Sequence, residues 1–403
     1  MSLGRVLLVE GIHPDAKRNL ESEGYEVELL PKALGESELI EAAKGAIALG
    51  IRSKTRVTPR VIEALPELCV VGAFCIGTNQ IALDHANACG IPVFNAPFAS
   101  TRSVAEMIIA EIIILARQLG DRNRDVHRGV WSKSAAGSYE IRGKTLGIVG
   151  YGHIGRQVGV LAEAMGMKVI FYDIAPRLPM GNNRPVESLE ALLEQSDFVT
   201  LHVPETPQTK NMIGAKEIAR MRPGSYLLNA SRGTVVDIEA LAEAIRSKHL
   251  AGAAVDVYPE EPEATGDGFV SPLQNLPNVF LTPHIGGSTV EAQVAIGREV
   301  SQALLSFLKT GNTLGAVNFP QVELQRRPGT HRITHVHQNI PGVLRDVNRI
   351  VSEVGANVVA QVLGTDAGIG YLIFDFEGDS SAPPIISERL ARLETTIRVR
   401  RLP

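Results

Sequence analysis

The chain has 403 residues, 44% of them hydrophobic and 21% charged, the proportions of a folded protein of two or three domains and not of a disordered one. A formal net charge of −4 provides no general attraction to nucleic acid or to an anionic membrane surface, so neither is expected as a partner. Three cysteines, Cys69, Cys75 and Cys89, with no CxxC spacing, argue against a disulfide framework or a cysteine zinc site and suit a reducing, cytoplasmic setting.

The opening run MSLGRVLLVE is too short for a secretory leader. Residues 6–10, 46–51 and 69–74 read as buried strands, with helices at 14–23, 36–44 and 59–65 between them. Such alternation predicts a parallel sheet with helices on both faces. Residues 104–119 form a helix that is apolar on nearly every side, which other protein must cover, either an interdomain core or a second subunit. Its most apolar part, 107–116, is interrupted by Glu111 and is too short to span a bilayer. Trp131, the only tryptophan, follows it, either near a subunit contact or as a packing residue.

A second α/β unit begins at Leu146. Strands are expected at 146–149, 168–173, 198–203, 226–231, 252–258 and 279–284, and a long helix at 289–309. Composition then shifts to Gly, Pro and polar residues over 312–329, which reads as a linker. Beyond it, a strand at 331–337, a helix at 342–354, strands at 357–364 and 370–377, a helix near 387–395 and a strand at 397–402 give the order βαββαβ, a ferredoxin-like arrangement. The fold class is therefore α/β, with two doubly wound parallel-sheet domains and a small βαββαβ domain at the end. The boundaries fall at 1–98 with 288–317, 99–287, a linker at 318–330, and 331–403.

Gly150-Tyr151-Gly152-His153-Ile154-Gly155 is a GxGxxG motif between a strand and a helix, with Asp173 at the end of the next strand. This is the context of a dinucleotide site. The first glycine permits a tight turn, the second lets the backbone approach a pyrophosphate, and the third allows close helix–strand packing. Asp173 accepts hydrogen bonds from the ribose hydroxyls and repels a 2′-phosphate, which favours NAD over NADP.

Downstream, three strand ends carry polar groups, where ligands sit in open α/β sheets. They hold Arg232, then Asp256, Glu260 and Glu261, then His284. An arginine grips a carboxylate with paired hydrogen bonds. A histidine takes a hydroxyl proton as hydride leaves carbon. A carboxylate beside that histidine fixes its tautomer.

The segments SRGTVVD, GAAVDVYPEEP and LTPHIGGST resemble the D-isomer-specific 2-hydroxyacid dehydrogenases. The resemblance implies that Arg232 orients the substrate, that Glu261 partners the histidine, and that His284 is the acid/base. It also implies that Ala230, Ser231, Arg232, Asp256, His284, Ile285, Gly286 and Gly287 line the cofactor, Asp256 at the nicotinamide carboxamide. The segments IRSKT, AFCIGTNQ, FNAPFASTRSVAE and HRGVWSKSAAGSYE resemble the branch of that family acting on 3-phosphoglycerate in serine biosynthesis. That likeness implies substrate contacts from Arg52, Ser53, Gly77 and Asn79. Lys54 and Lys133 are candidate phosphate partners, and the N–H groups near Ile76-Gly77-Thr78 form a possible carboxylate nest.

The tail resembles an ACT domain, a small module that binds amino acids at a paired interface. By that resemblance His337, Asn339, Gly342 and Asn357 hold L-serine as a feedback inhibitor. His331, His335 and His337 share a strand face, but no fourth ligand is evident and no metal is expected. A symmetric homotetramer is the expected assembly. Other readings stay open at this point: another D-2-hydroxy acid as substrate, additional reduction of 2-oxoglutarate-like acids, or an NAD-sensing protein without catalysis.

Overall fold

The computed structural model describes residues 3–262, 266 and 268–402. The chain divides into two compact units, Met1–Ala99 with Gln293–Pro403, and Ser100–Ala292. The first unit starts as β1 (Arg5–Leu8), α1 (Pro14–Ser22), β2 (Glu26–Leu29), α2 (Glu36–Ala42), β3 (Ala46–Ile51), α3 (Pro59–Ala64), β4 (Val70–Ala73), α4 (Leu83–Ala88) and β5 (Val93–Phe94). The five strands form a parallel sheet in the order β2-β1-β3-β4-β5. Local chemistry starts the helices: Thr58 accepts the Val61 N–H at 3.3 Å ahead of Pro59, which needs no donor in the first turn. The order reverses between β1 and β3. Their carboxyl ends therefore flank a crevice-forming switch point, with Glu10 just past one and Arg52 just past the other.

The second unit holds α5 (Thr101–Arg117), α6 (Leu119–His127), β6 (Thr145–Val149), α7 (His153–Ala164), β7 (Lys168–Tyr172), β8 (Arg184–Pro185), α8 (Leu189–Gln195), β9 (Phe198–Leu201), α9 (Ala215–Arg220), β10 (Ser225–Asn229), α10 (Ile238–Arg246), β11 (Leu250–Val255) and β12 (Val279–Leu281). Its seven strands lie parallel in the order β12-β11-β10-β9-β6-β7-β8. Strands β6, β9, β10 and β11 are almost wholly buried, as near-continuous apolar runs in a doubly covered sheet require. The apolar helix stops two residues earlier than its periodicity suggests, because Gln118 turns left-handed at φ 53° and starts α6.

The chain continues through α11 (Val290–Thr310) to β13 (His331–Gln338), α12 (Val343–Glu353), β14 (Asn357–Thr365), β15 (Ile369–Glu377), α13 (Ala382–Ala391) and β16 (Thr396–Leu402). This is the expected βαββαβ order, with an antiparallel sheet β14-β15-β13-β16. Helix α13 begins five residues before the expected 387, since the tandem Pro383 and Pro384 fit a first turn and do not break it. Alternation along β15 sends Leu372, Phe374 and Phe376 into a core with Val347 and Ile350 of α12 and Ile386 and Leu390 of α13. Tyr371 and Ile373 point the other way, into a core shared with Leu304 and Phe307 of α11 and with Phe319 and Val322. Residues 312–324 are thus irregular but packed: the Thr313 N–H donates to the Val322 carbonyl at 2.9 Å.

Arg332 closes this region. Its side chain and that of Asp375 are 0% exposed and meet in a two-pronged ion pair, Nε–Oδ1 2.6 Å and Nη2–Oδ2 2.8 Å. The remaining nitrogen donates to the carbonyls of Thr310 and Leu324, both at 2.9 Å. Asp375→Ala is expected to cost about 3–5 kcal/mol in urea unfolding, since it leaves a buried cation unpaired. Arg332→Met with Asp375→Leu should recover most of that loss but not all, with a shortfall of about 1–3 kcal/mol from the two carbonyls left without a donor. Equal losses in the single and double variants would refute this account.

Candidate active site

The loop after β6 is built for close approach. Gly150 has φ +91°, and a Cβ there would lie 2.3 Å from the His202 carbonyl oxygen. A Cβ on Gly155 would lie 2.3 Å from the Gly150 carbonyl oxygen. At Gly152 a Cβ would meet nothing within 4 Å, so the space before α7 is open to a ligand. Helix α7 starts at His153 and runs twelve residues, with Ile154 against the unit's core, and its first N–H groups suit a pyrophosphate. Asp173, past the end of β7, accepts the N–H of Tyr151 and of Ala175, both at 2.9 Å, and pairs with Arg177 at 3.3 Å. It therefore shapes the glycine loop as well as offering a carboxylate beside it. These residues fit NAD.

Histidine, arginine and carboxylate converge at the ends of β10, β11 and β12. His284 Nδ1 lies 2.8 Å from Glu261 Oε2, and Glu261 Oε1 accepts the Tyr258 N–H at 3.1 Å. With Nδ1 committed to Glu261, Nε2 is the ring nitrogen left to face a substrate. Arg232 is partly buried beside them in a loop that Asn229 organises: its amide donates to the Arg232 carbonyl at 3.0 Å, and its Oδ1 accepts Ser231 N–H and Oγ. Ala230 lies next to these. Gly233 permits this approach, for a Cβ there would sit 1.9 Å from the Tyr258 carbonyl carbon.

Asp256 fastens the turn that carries His284. Its Oδ1 accepts the Thr282 hydroxyl at 2.6 Å and the Ile285 N–H at 2.8 Å. Its Oδ2 accepts the Gly286 N–H at 2.9 Å, and its carbonyl accepts the His284 N–H at 2.8 Å. His284 itself is left-handed, φ 55°, a conformation that costs a non-glycine residue about 1–2 kcal/mol and persists because its neighbours hold it. Gly287, next in the turn, lies close to Ser100.

Charge tunes the pair. The hydrogen bond to Glu261 raises the His284 pKa; burial opposes this, the charges of Glu261 and Asp256 add to it, and Arg232 detracts. For Glu261, burial pushes upward, but the His284 hydrogen bond and charge, the Tyr258 N–H and Arg232 outweigh it and hold the carboxyl below its usual range. Sequence reasoning missed the deeper group. Glu111 on α5 is 1% exposed, its Oε1 has no hydrogen-bond partner, and burial, with the charge of Asp256, raises its pKa to about 8. Met107 and Val104, one and two turns before it, lie against Gly286, so this face of α5 backs the His284 turn. The one sequence signal was a lone acid inside an apolar run.

The other expected site residues fall elsewhere. Arg52, Ser53, Gly77 and Asn79 belong to the first unit. There Gln80 Nε2 joins two of their loops, donating to the Arg52 carbonyl at 2.6 Å and the Gly77 carbonyl at 3.3 Å. Lys54 and Lys133 are exposed, as is Trp131. In the small domain, Asn339 Nδ2 donates to the Asp366 carbonyl at 2.7 Å, and Gly342 heads α12 at φ +98°. Asn357 pairs with Glu377, at the same end of the sheet as His331, whereas Gln338 pairs with Ile369 at the other. The two asparagines are therefore about 30 Å apart at strand spacing and do not meet within one chain. His337 is buried, with Nδ1 2.9 Å from the Gln338 carbonyl. Among the described residues no group of three or more His, Cys, Asp or Glu is arranged to hold a metal, and no helix is long and apolar enough to cross a membrane.

Comparison with known proteins places these features. The family model for the D-isomer specific 2-hydroxyacid dehydrogenase NAD-binding domain matches residues 109–286, and that for the AHAS small subunit-like ACT domain matches 333–398. The D-3-phosphoglycerate dehydrogenase of Dictyostelium discoideum is 53% identical, covering 98% of this chain and 96% of its own. That of Escherichia coli K12 is also 53% identical, covering 99% and 97%. Among solved structures, D-2-hydroxyisocaproate dehydrogenase aligns with a TM-score of 0.70 at 27% identity, over 78% of this chain and all of its own. The NAD complex of a D-isomer specific 2-hydroxyacid dehydrogenase from Lactobacillus delbrueckii ssp. bulgaricus aligns at 0.68 and 28% identity, with the same coverage.

Two outcomes are expected from this geometry. Glu261→Gln removes the charge that keeps the proton on His284, so the pH midpoints of kcat/KM should move to lower pH for both alcohol oxidation and ketone reduction. Unmoved midpoints would rule out the pairing. Folded Glu111 keeps a proton that the unfolded chain releases near its ordinary pKa of about 4.3. Stability should then fall as pH rises from there to about 8, by at most about 1.4 kcal/mol per pH unit. Glu111→Gln should flatten that slope in chemical denaturation at pH 5 and pH 8, and an unchanged slope would assign it to another group.

Proposed function

This chain belongs to the D-isomer-specific 2-hydroxyacid dehydrogenase family, and on that premise we propose that it oxidises 3-phosphoglycerate to 3-phosphohydroxypyruvate under restraint by L-serine. It is an NAD-dependent oxidoreductase. The observation that carries the reading is the His284–Glu261 contact of 2.8 Å beside Arg232, and the substrate is the one named by relatives that match nearly the whole chain. Arg232 grips the substrate carboxylate and holds the hydroxyl carbon in place. His284 Nε2 takes the hydroxyl proton, and Glu261 stabilises the imidazolium that results. When bound, NAD supplies the hydride acceptor. Ketone reduction runs the same proton transfer backwards from a protonated His284.

Arg52, Ser53, Gly77 and Asn79 take the rest of the substrate in this reading. Serine acts through the ACT module. Because Asn339 and Asn357 stand at opposite ends of one sheet, a site using both needs a second copy, which agrees with a homotetramer; the cytoplasm is its proposed setting. A 2-oxo acid such as 2-oxoglutarate, which carries a second carboxylate where 3-phosphohydroxypyruvate carries its phosphate, is a second substrate for the same carboxylate grip.

NADH oxidation with 3-phosphohydroxypyruvate, with and without L-serine, tests the whole reading. Turnover suppressed by serine is expected. Turnover indifferent to serine would remove the account of the tail, and its absence with NADH still bound would remove the substrate. His284→Ala should lower kcat by about 100-fold or more with NADH affinity retained, the size of a lost general acid/base.

A further inference from the structure

Glu10 has no part in the proton transfer, yet its placement is costly. It lies just past β1, in the left-handed region at φ 64°, where a residue other than glycine pays about 1–2 kcal/mol. Its backbone is pinned to the segment after β2: its N–H donates to the Lys32 carbonyl and that of Gly11 to the Leu30 carbonyl, both at 3.0 Å. The side chain crosses the switch point between β1 and β3. There Oε1 accepts the N–H of Thr55 at 2.6 Å and of Arg52 at 3.2 Å, while Oε2 accepts that of Lys54 at 3.1 Å. Three of the four N–H groups of residues 52–55 thus converge on one carboxylate, an inward-facing anion in a backbone nest.

Other contacts complete the frame. Thr55 is 1% exposed, and its hydroxyl accepts the Leu34 N–H at 3.4 Å. Gln80 holds the Arg52 carbonyl from the opposite side and ties it to Gly77. The side chains of Ser53 and Lys54 remain exposed and that of Arg52 half-exposed. The loop backbone is therefore fixed by groups behind it, and its polar side chains are left facing outward.

We propose that Glu10 is a positioning residue for the substrate, the template on which the 52–55 loop takes the shape that presents Arg52 and Ser53. This rests on the reading of those two residues as substrate contacts. Because its oxygens are engaged by the loop's N–H groups, Glu10 acts through the loop and not on the substrate. Loss of the template leaves the chemistry intact but loosens ground-state and transition-state binding alike, which raises KM and spares kcat.

Steady-state kinetics of 3-phosphohydroxypyruvate reduction on the full chain tests this, comparing E10G, E10Q and R52A. Glycine removes the carboxylate and relieves the backbone, so E10G should melt near the wild-type temperature. Its KM for the oxo acid should rise about tenfold or more, with kcat within about threefold and the KM for NADH unchanged. In E10Q one amide oxygen still serves Arg52 and Thr55, so a smaller rise is expected, and this variant decides the matter if E10G fails to fold. An unchanged KM in both Glu10 variants, with R52A raising it, overturns the inference alone. An unchanged KM in R52A overturns the substrate reading of the loop, and the inference with it.

Discussion

One carboxylate holds the candidate active site together. Asp256 receives the Thr282 hydroxyl and the N–H groups of Ile285 and Gly286, while its own carbonyl receives the His284 N–H. No regular element could hold His284 at φ 55°, because a left-handed residue belongs to neither helix nor strand. The turn survives because a single side chain at the end of β11 satisfies donors on both sides of the histidine. Glu261 can then reach Nδ1 from the same segment, five residues later. Arg232 joins them because Gly233 lets the β10 loop lie against the Tyr258 backbone.

The electrostatics follow from that anchoring. Glu111 is buried within reach of the charge of Asp256, and burial with that charge raises its pKa to about 8. One of its oxygens has no hydrogen-bond partner. Helix α5 thereby places a neutral acid behind the His284 turn, and the charges of Glu261, Asp256 and Arg232 are left to bias the affinity of His284 for its proton.

Much of this was legible in the chain. The parallel sheets follow from apolar runs of strand length separated by helical periods, and the glycine motif carries its own backbone logic in Gly150, Gly152 and Gly155. Arg232, Glu261 and His284 are legible because each closes a strand. Glu111 and Glu10 were not, because their meaning lies in partners that sequence does not bring near: the charge of Asp256 is 145 positions away by numbering, and the loop Glu10 holds begins 42 positions on. The helix near 387 was placed too late because tandem proline reads locally as a break. The placement of Asn339 and Asn357 was beyond reach for another reason, since their separation depends on strand register.

The packing of the C-terminal sheet has a practical consequence. Its outer face does not look onto solvent: Val336, Ile369, Tyr371 and Ile373 share a core with Leu304, Phe307 and Phe319, and Arg400 lies 4.6 Å over the Phe307 ring. Tyr371 and Arg332 add hydrogen bonds to the carbonyls of Gly311 and Thr310. A gene truncated before residue 331 would leave these apolar side chains bare and the carbonyls unpaired, a sticky surface on what remains. An effector-insensitive form of this protein is therefore better sought by point substitution in the ACT module than by excising it.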